Sequence, residues 1–292
     1  MSEILTRVCP GGVSLEAPFE LLDEGLAARP DLARPAIVRG YVSAIDTVVA
    51  RAAVDRATAD LGHLQAFALR PIGELQTRLV NEEDWAEAWK ENFPVLRVGR
   101  RLVIRPTWRE HDVAEGDVVI NLDPGMAFGT GLHPTTRLCL AALEDLAATG
   151  ELTGAHVLDV GSGSGILAIT AALLGAADVT AVDTDPIAVE MTAKNAGLNG
   201  LADRVAARQG SVPLTDGGMH FDLVLANLVA SLLVDLASAL SDAVRPGGRL
   251  IASGIFHDRE SEVVAAFESA GLSITDRRGE GEWVALEADR RA

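Results

Sequence analysis

The stretch "HVLDVGSGSGILAITAALLGA", residues 156–176, restricts the fold more than any other part of the chain. A short run with an apolar majority enters a glycine turn, and a longer apolar run follows. A strand buried on both faces and a helix packed back on it begin a β-α unit. The alternation then repeats. Strands are expected at "HVLDV", "DVTAVD", "RVAARQ", "FDLVLAN" and "RLIASGI", and helices over roughly 164–174, 185–199, 230–244 and 258–270. Such an order builds a mainly parallel sheet covered on both sides, an α/β fold. Only "RGEGE" separates "LSITDRR" from "EWVALEA". That is too short for a crossover, so these two strands are expected as an antiparallel hairpin.

Upstream, "VLRVGRRLVIR" (95–105) is expected as a hairpin around Gly99, and "GDVVINLDPG" as a strand running into a loop. "PTTRLCLAALEDLAA" is a helix with Pro134 in its first turn, where proline is favoured. "VSAIDTVVARAAVDRATADL" (42–61) sets Val42, Ile45, Val48, Val49, Ala52 and Ala53 on one helical face. "HLQAFALR" is expected as a strand before Pro71. Asn81 caps an acidic first turn for "EEDWAEAWKENF", where Trp85 and Trp89 share a face. Four prolines in the first forty residues mark loops and short elements.

With 292 residues, 48% of them hydrophobic, the chain is long enough for one large domain or two modest ones. No apolar run approaches the roughly 18 residues that span a bilayer. The N-terminus "MSEILTRVCPGG" lacks the basic and apolar regions of a signal peptide. Cys9 and Cys139 make no disulfide framework, and Cys139 lies in an apolar run that buries a thiol. A cytoplasmic location is the expectation. Lys plus Arg number 25 against 42 Asp plus Glu, a net charge of −17. That field repels phosphate backbones, so direct nucleic-acid binding is not expected, while a basic protein partner is attracted.

Gly161 and Gly163 let a ligand approach the backbone closely at a helix start. Two kinds of cofactor suit such a turn. A dinucleotide fingerprint needs Gly-x-Gly-x-x-Gly. Counting from Gly161 the third position is Ile166, which fails; counting from Gly163 it is Ala168, which fits only the loose form. Asp159 stands two residues before the first glycine, where it would repel a pyrophosphate. S-adenosylmethionine carries an ammonium and a sulfonium and no phosphate, so an acidic strand end suits it better. Asp183 ends the next strand and is placed to accept both ribose hydroxyls, a role common to the two cofactors. Asp185, before Pro186, is the better helix cap.

Asn227 ends "FDLVLAN", at the sheet edge where open α/β sheets hold ligands. A neutral amide there fits amine chemistry. Holding a lysine neutral at pH 7 costs about 4.6 kcal/mol, and a carboxylate would deepen that by favouring the cation. Asn227 is therefore the candidate catalytic residue. It would accept an N–H bond and aim the amine lone pair.

One further stretch is distinctive, "LDPGMAFGTGLHPTT" (122–136). It is rich in glycine yet lacks the Lys-Ser/Thr of a phosphate-binding loop. With "DWAEAWKENFPVLRVGRRLVIRPTW", "VLDVGSGSGILAI" and "LVLANLVASLLVDLA", it resembles the PrmA family, methyltransferases of large-subunit ribosomal protein eleven, over about 81 to 290. The resemblance implies a Rossmann-like class I methyltransferase sheet with a smaller N-terminal α+β domain. It divides the chain into a substrate-recognition domain at 1–80, a linker region at 81–111 and a methyltransferase domain at 112–292. It implies methylation of lysine side chains and an N-terminal amine by S-adenosylmethionine. The implied partner is a basic protein, the free ribosomal protein, and no metal is implied. It carries cofactor contacts onto Thr136, Gly161, Asp183 and Asn227. The 123–136 loop is expected to fold over the cofactor, with Phe128 shielding the methyl group.

Two positions depart from the family pattern: Ser231-Leu232 replaces a Gly-Pro pair, and Leu132 replaces a threonine before His133. His133 has two readings, a general base with a pKa near 6.5 or a tie between loop and helix start. Related lysine methylation of another protein, and non-catalytic binding of the cofactor, are the alternative functions.

Overall fold

The computed structural model describes residues 8–9, 13–16, 19–22, 27–30, 37–40, 42, 47–66, 73, 75–77, 94–123, 131–214 and 220–291. The chain divides into two compact units, Met1–Trp89 and Lys90–Ala292.

In the first unit the proline-punctuated start yields four short strands. β1 (Val13–Glu16) pairs antiparallel with β4 (Ile37–Gly40), and β2 (Phe19–Leu22) with β3 (Ala27–Pro30). Helix α1 (Thr47–Ala66) follows. Its inward face differs from the expected one: Ala57 and Leu61 are buried, whereas Val49 is 59% exposed and Ala52 is exposed. Alanines are spread all round this helix, so two faces suit the period almost equally and the packing partner decides between them. The expected strand at 63–70 is also corrected, because residues 63–66 continue α1. The Trp85–Trp89 pair lies outside the described residues.

The second unit opens with a three-stranded sheet. β5 (Leu96–Val98) and β6 (Leu102–Pro106) form the hairpin around Gly99, and β7 (Val118–Leu122) lies parallel to β6. Gly99 has φ +62°, and the buried Glu144 carboxylate accepts from Arg100 N and Arg101 N at 2.8 and 2.6 Å. That carboxylate fixes the hairpin turn onto α2 (Pro134–Thr149).

The main sheet has seven strands: β8 (His156–Val160), β9 (Asp178–Asp183), β10 (Val205–Gln209), β11 (Phe221–Asn227), β12 (Val244–Phe256), β13 (Leu272–Glu280) and β14 (Trp283–Arg290). Their order is β10-β9-β8-β11-β12-β14-β13. Strands β8 to β12 are parallel, and the terminal hairpin pairs antiparallel through β14. Its turn is tighter than "RGEGE", since Glu280 already pairs with Trp283. Helices α3 (Ile166–Leu173), α4 (Pro186–Leu198) and α7 (Glu260–Ser269) follow as expected. The helix expected over 230–244 is two, α5 (Ala230–Asp235) and α6 (Ala237–Ala243), with Leu236 between them at φ −95° and ψ 0°.

Strand alternation sorts the core into two layers. Val157, Val179, Ala181, Leu223 and Leu225 pack with α2, α3 and β5–β7. Leu158, Val160, Val182, Val224 and Ala226 pack with α5, α6 and α7. Continuing the period by two residues places Asp159, Asp183 and Asn227 on the α2–α3 side.

Candidate functional site at the carboxyl edge of the sheet

A cavity of about 410 Å³ opens at the carboxyl ends of β8, β9 and β11, a volume suited to a small cofactor. Five of the six expected site residues line it: Thr136, Gly161, Gly163, Asp183 and Asn227. The alternation described above brings Asn227 against the first turn of α2. Its Nδ2 donates to Thr136 Oγ1 at 3.2 Å, across 91 residues of sequence.

Asp159 is the exception. It is 1% exposed and does not line the cavity. Its Oδ2 accepts from Ala168 N at 3.1 Å, capping the first turn of α3, which has no side-chain cap of its own. Its Oδ1 is buried with no hydrogen-bond partner. Burial, reinforced by the nearby Asp183 charge, pushes its carboxyl up to about 7. This carboxylate acts on the glycine turn from beneath.

Asp183 supplies the negative charge on the cavity side. Its Oδ2 accepts from Gly163 N at 2.9 Å, and its Oδ1 accepts from Asp185 N at 3.0 Å. The N–H that a pyrophosphate would need is thus already paired with a carboxylate. Among the described residues, none that lines the cavity is Lys or Arg. Both facts disfavour a dinucleotide and suit a cationic, phosphate-free ligand such as S-adenosylmethionine. Asp185 caps α4 through Ile187 N at 2.9 Å, so Asp183 is not needed as a cap.

The glycines have distinct duties. Gly161 has φ +75°, and a Cβ there would lie 2.5 Å from Leu228 Cδ2. Gly165 has φ +82°, and a Cβ would lie 3.0 Å from the Thr192 Cα, so it lets α3 approach α4. Gly131 answers to packing against Ile104, which a Cβ would reach at 2.3 Å. Gly125, Gly129 and Phe128 lie outside the described residues.

His133 is the N-cap of α2. Its Nδ1 lies 2.8 Å from Thr135 Oγ1 and 3.4 Å from Thr135 N. Its ring meets Trp283 edge-on at 4.6 Å. Burial, with the Arg137 charge, lowers its pKa, which favours the neutral ring that a capping acceptor needs. It does not line the cavity.

Residues that sequence reasoning missed include Asn195 and Asn199, one turn apart on α4. Asn199 Oδ1 accepts from Asn121 N at 2.8 Å, and its Nδ2 donates to Asn121 O at 2.7 Å. The fully buried Asn195 does the same for Asp123 N and O, at 2.9 and 3.0 Å, and also donates to Ser164 O at 2.8 Å. The two amides act as a substitute strand beside β7. They tie the root of the 123–136 loop to the glycine turn.

Sheet order, glycine turn, acidic second strand end and edge cavity together define a Rossmann-like class I methyltransferase. A sequence model of the ribosomal protein L11 methyltransferase (PrmA) family matches residues 2–291. The chain belongs to that family. It is 46% identical to a ribosomal protein L11 methyltransferase of Chloroflexus aurantiacus, covering 98% of this chain and 92% of that protein. It is 44% identical to one of Herpetosiphon aurantiacus, covering 94% and 89%. Among solved structures, a ribosomal protein L11 methylase from Lactobacillus delbrueckii subsp. bulgaricus aligns with a TM-score of 0.61 and 34% identity, over 68% of this chain and 99% of that one. The match through residues 2–291 corrects the narrower span of about 81 to 290.

Among the described residues, no helix is long and apolar enough to cross a membrane, and no group of three or more His, Cys, Asp and Glu is set to hold a metal. Cys9 and Cys139 are buried and free, and burial pushes the Cys139 thiol up to about 12.

Proposed function

We propose that the edge cavity binds S-adenosylmethionine and that the protein methylates amino groups of ribosomal protein L11, lysine side chains and the N-terminal amine, on the free protein in the cytoplasm. The observation that carries this reading is the Asn227–Thr136 pair at a cavity whose described wall carries a carboxylate and no Lys or Arg. The cofactor supplies a methyl group on a sulfonium, an electrophile open to a neutral amine.

The chain's own residues bind, orient and neutralise. Asp183 takes the ribose hydroxyls while bracing Gly163. Gly161 and Gly163 present backbone to the cofactor, and Thr136 touches it from α2. Asp159 works at one remove, by holding α3 and the turn in place. With its Nδ2 given to Thr136, Asn227 accepts an amine N–H through Oδ1 and directs the lone pair. Being uncharged, it does not stabilise the unreactive ammonium. The rest of the rate comes from alignment of nucleophile and leaving group. The N-terminal unit recognises the protein substrate.

Labelled methyl donor incubated with free L11 is expected to label L11. Label on other lysate proteins but not on L11 would assign a different substrate. Cofactor binding without transfer to any protein would make this a non-catalytic binder.

A further inference from the structure

Among the described residues, the exposed large hydrophobics Leu132, Val229, Leu232 and Phe256 lie on segments at the carboxyl edge of the sheet. Phe256 ends β12 opposite Trp283, the first residue of β14. Their rings are 4.0 Å apart and tilted by 44°, and Phe256 remains 44% exposed. His133 meets Trp283 as well, at 4.6 Å and 72°. Three residues from different parts of the chain thus form one aromatic ledge. Its link to the cavity is short: His133 O accepts from Thr136 N at 3.1 Å, and Thr136 holds Asn227. The nearby guanidinium of Arg137 is paired with Glu280, so the ledge carries no bare cation from that side.

Resting on the amine reading above, we propose that Phe256, Trp283 and His133 form a subsite for the alkyl stem of the substrate amine and for the methylammonium that each transfer leaves, and that this subsite governs how many methyl groups one nitrogen accumulates. A lysine stem is apolar, and the methylammonium formed by a transfer is attracted to aromatic faces. Each methyl added removes an N–H that an amide can hold and adds apolar surface that a ring can hold. The ledge therefore gains on Asn227 as methylation proceeds, and it keeps a partly methylated amine at the site while its N–H proton passes to water, which frees the lone pair for the next transfer.

The test is a time course of intact L11 mass with the full-length enzyme, its Trp283→Ala, Trp283→Phe and Phe256→Ala variants, alongside cofactor affinity by calorimetry. Trp283→Ala is expected to bind the cofactor as the wild type does and to accumulate the lowest methylated state, with later transfers slowed roughly two- to thirty-fold. Trp283→Phe restores most of the later transfers. Phe256→Ala, at an exposed position, gives the same bias more weakly and keeps the test open if Trp283→Ala fails to fold. A wild-type product distribution in the folded variants overturns the proposal. So does a proportional fall in every transfer together with lost cofactor affinity, or a wild-type enzyme that stops at one methyl per nitrogen. A wild type that methylates no amine at all fails the underlying reading instead.

Discussion

Replacing Asn227 by aspartate separates a neutral amide from a charged one of nearly equal size. The carboxylate still reaches Thr136, and it tolerates a cationic cofactor, but it raises the pKa of the incoming amine. Each unit of that rise removes about tenfold of the neutral amine at pH 7. We expect kcat to fall at least about tenfold at neutral pH and to recover as pH rises, with cofactor affinity retained. A loss that higher pH does not relieve would contradict the role given to the amide. Asp159 makes the second residue-scale prediction. Its folded carboxyl is raised to about 7 from 3.8. Between those values the folded protein holds a proton that the unfolded chain has lost, so this residue's contribution to stability declines as pH rises through that window. Asp159→Asn removes the decline. From about pH 4 to about pH 8 the variant should gain on the wild type by on the order of 4 kcal/mol in denaturant unfolding. A constant difference would mean that Asp159 is not destabilised by burial.

At the scale of elements, the clasp between α4 and β7 is the joint that sets the site. Asn195→Ala leaves Asp123 N, Asp123 O and Ser164 O without their buried partner. The expected loss is about 2–4 kcal/mol in unfolding free energy, from three hydrogen bonds lost at a buried amide. A loss below about 1 kcal/mol would show that the clasp is dispensable. The elements themselves were largely legible. Buried parallel strands read as continuous apolar runs, and their ends gave Asp183 and Asn227 directly. Face assignments were less so. In α1 the alanines allow two faces, and in β8 the position of Asp159 near the strand end did not reveal that it points beneath the turn. Asn195 and Asn199 carried a usable signal: two asparagines one turn apart, the first inside α4, where asparagine is a weak former, and the second its C-cap. Their work became visible only with β7 beside them. Gly210 and Ser211 also line the cavity, from a loop with no motif to announce it.

The whole molecule carries a net charge of −17, and the proposed substrate is basic. Their encounter should depend on ionic strength. Raising salt from about 0.05 M to about 0.5 M shortens the screening length severalfold, so KM for L11 should rise severalfold while kcat holds. A flat KM would remove charge from the account of partner choice. Family membership reaches through residues 2–291, although no short motif in the first eighty residues showed it. Its described residues form four-residue strands and an alanine-rich helix, which leave a diffuse pattern and no fixed catalytic string. An amine methyltransferase is defined by where the methyl group goes. Peptide mapping of L11 by mass spectrometry, after incubation with the enzyme and S-adenosylmethionine, tests it most directly. Methyl groups are expected on lysine Nζ atoms or on the N-terminal nitrogen. Methyl groups confined to oxygen or amide nitrogen, or an unmodified L11 with the cofactor bound, would contradict it.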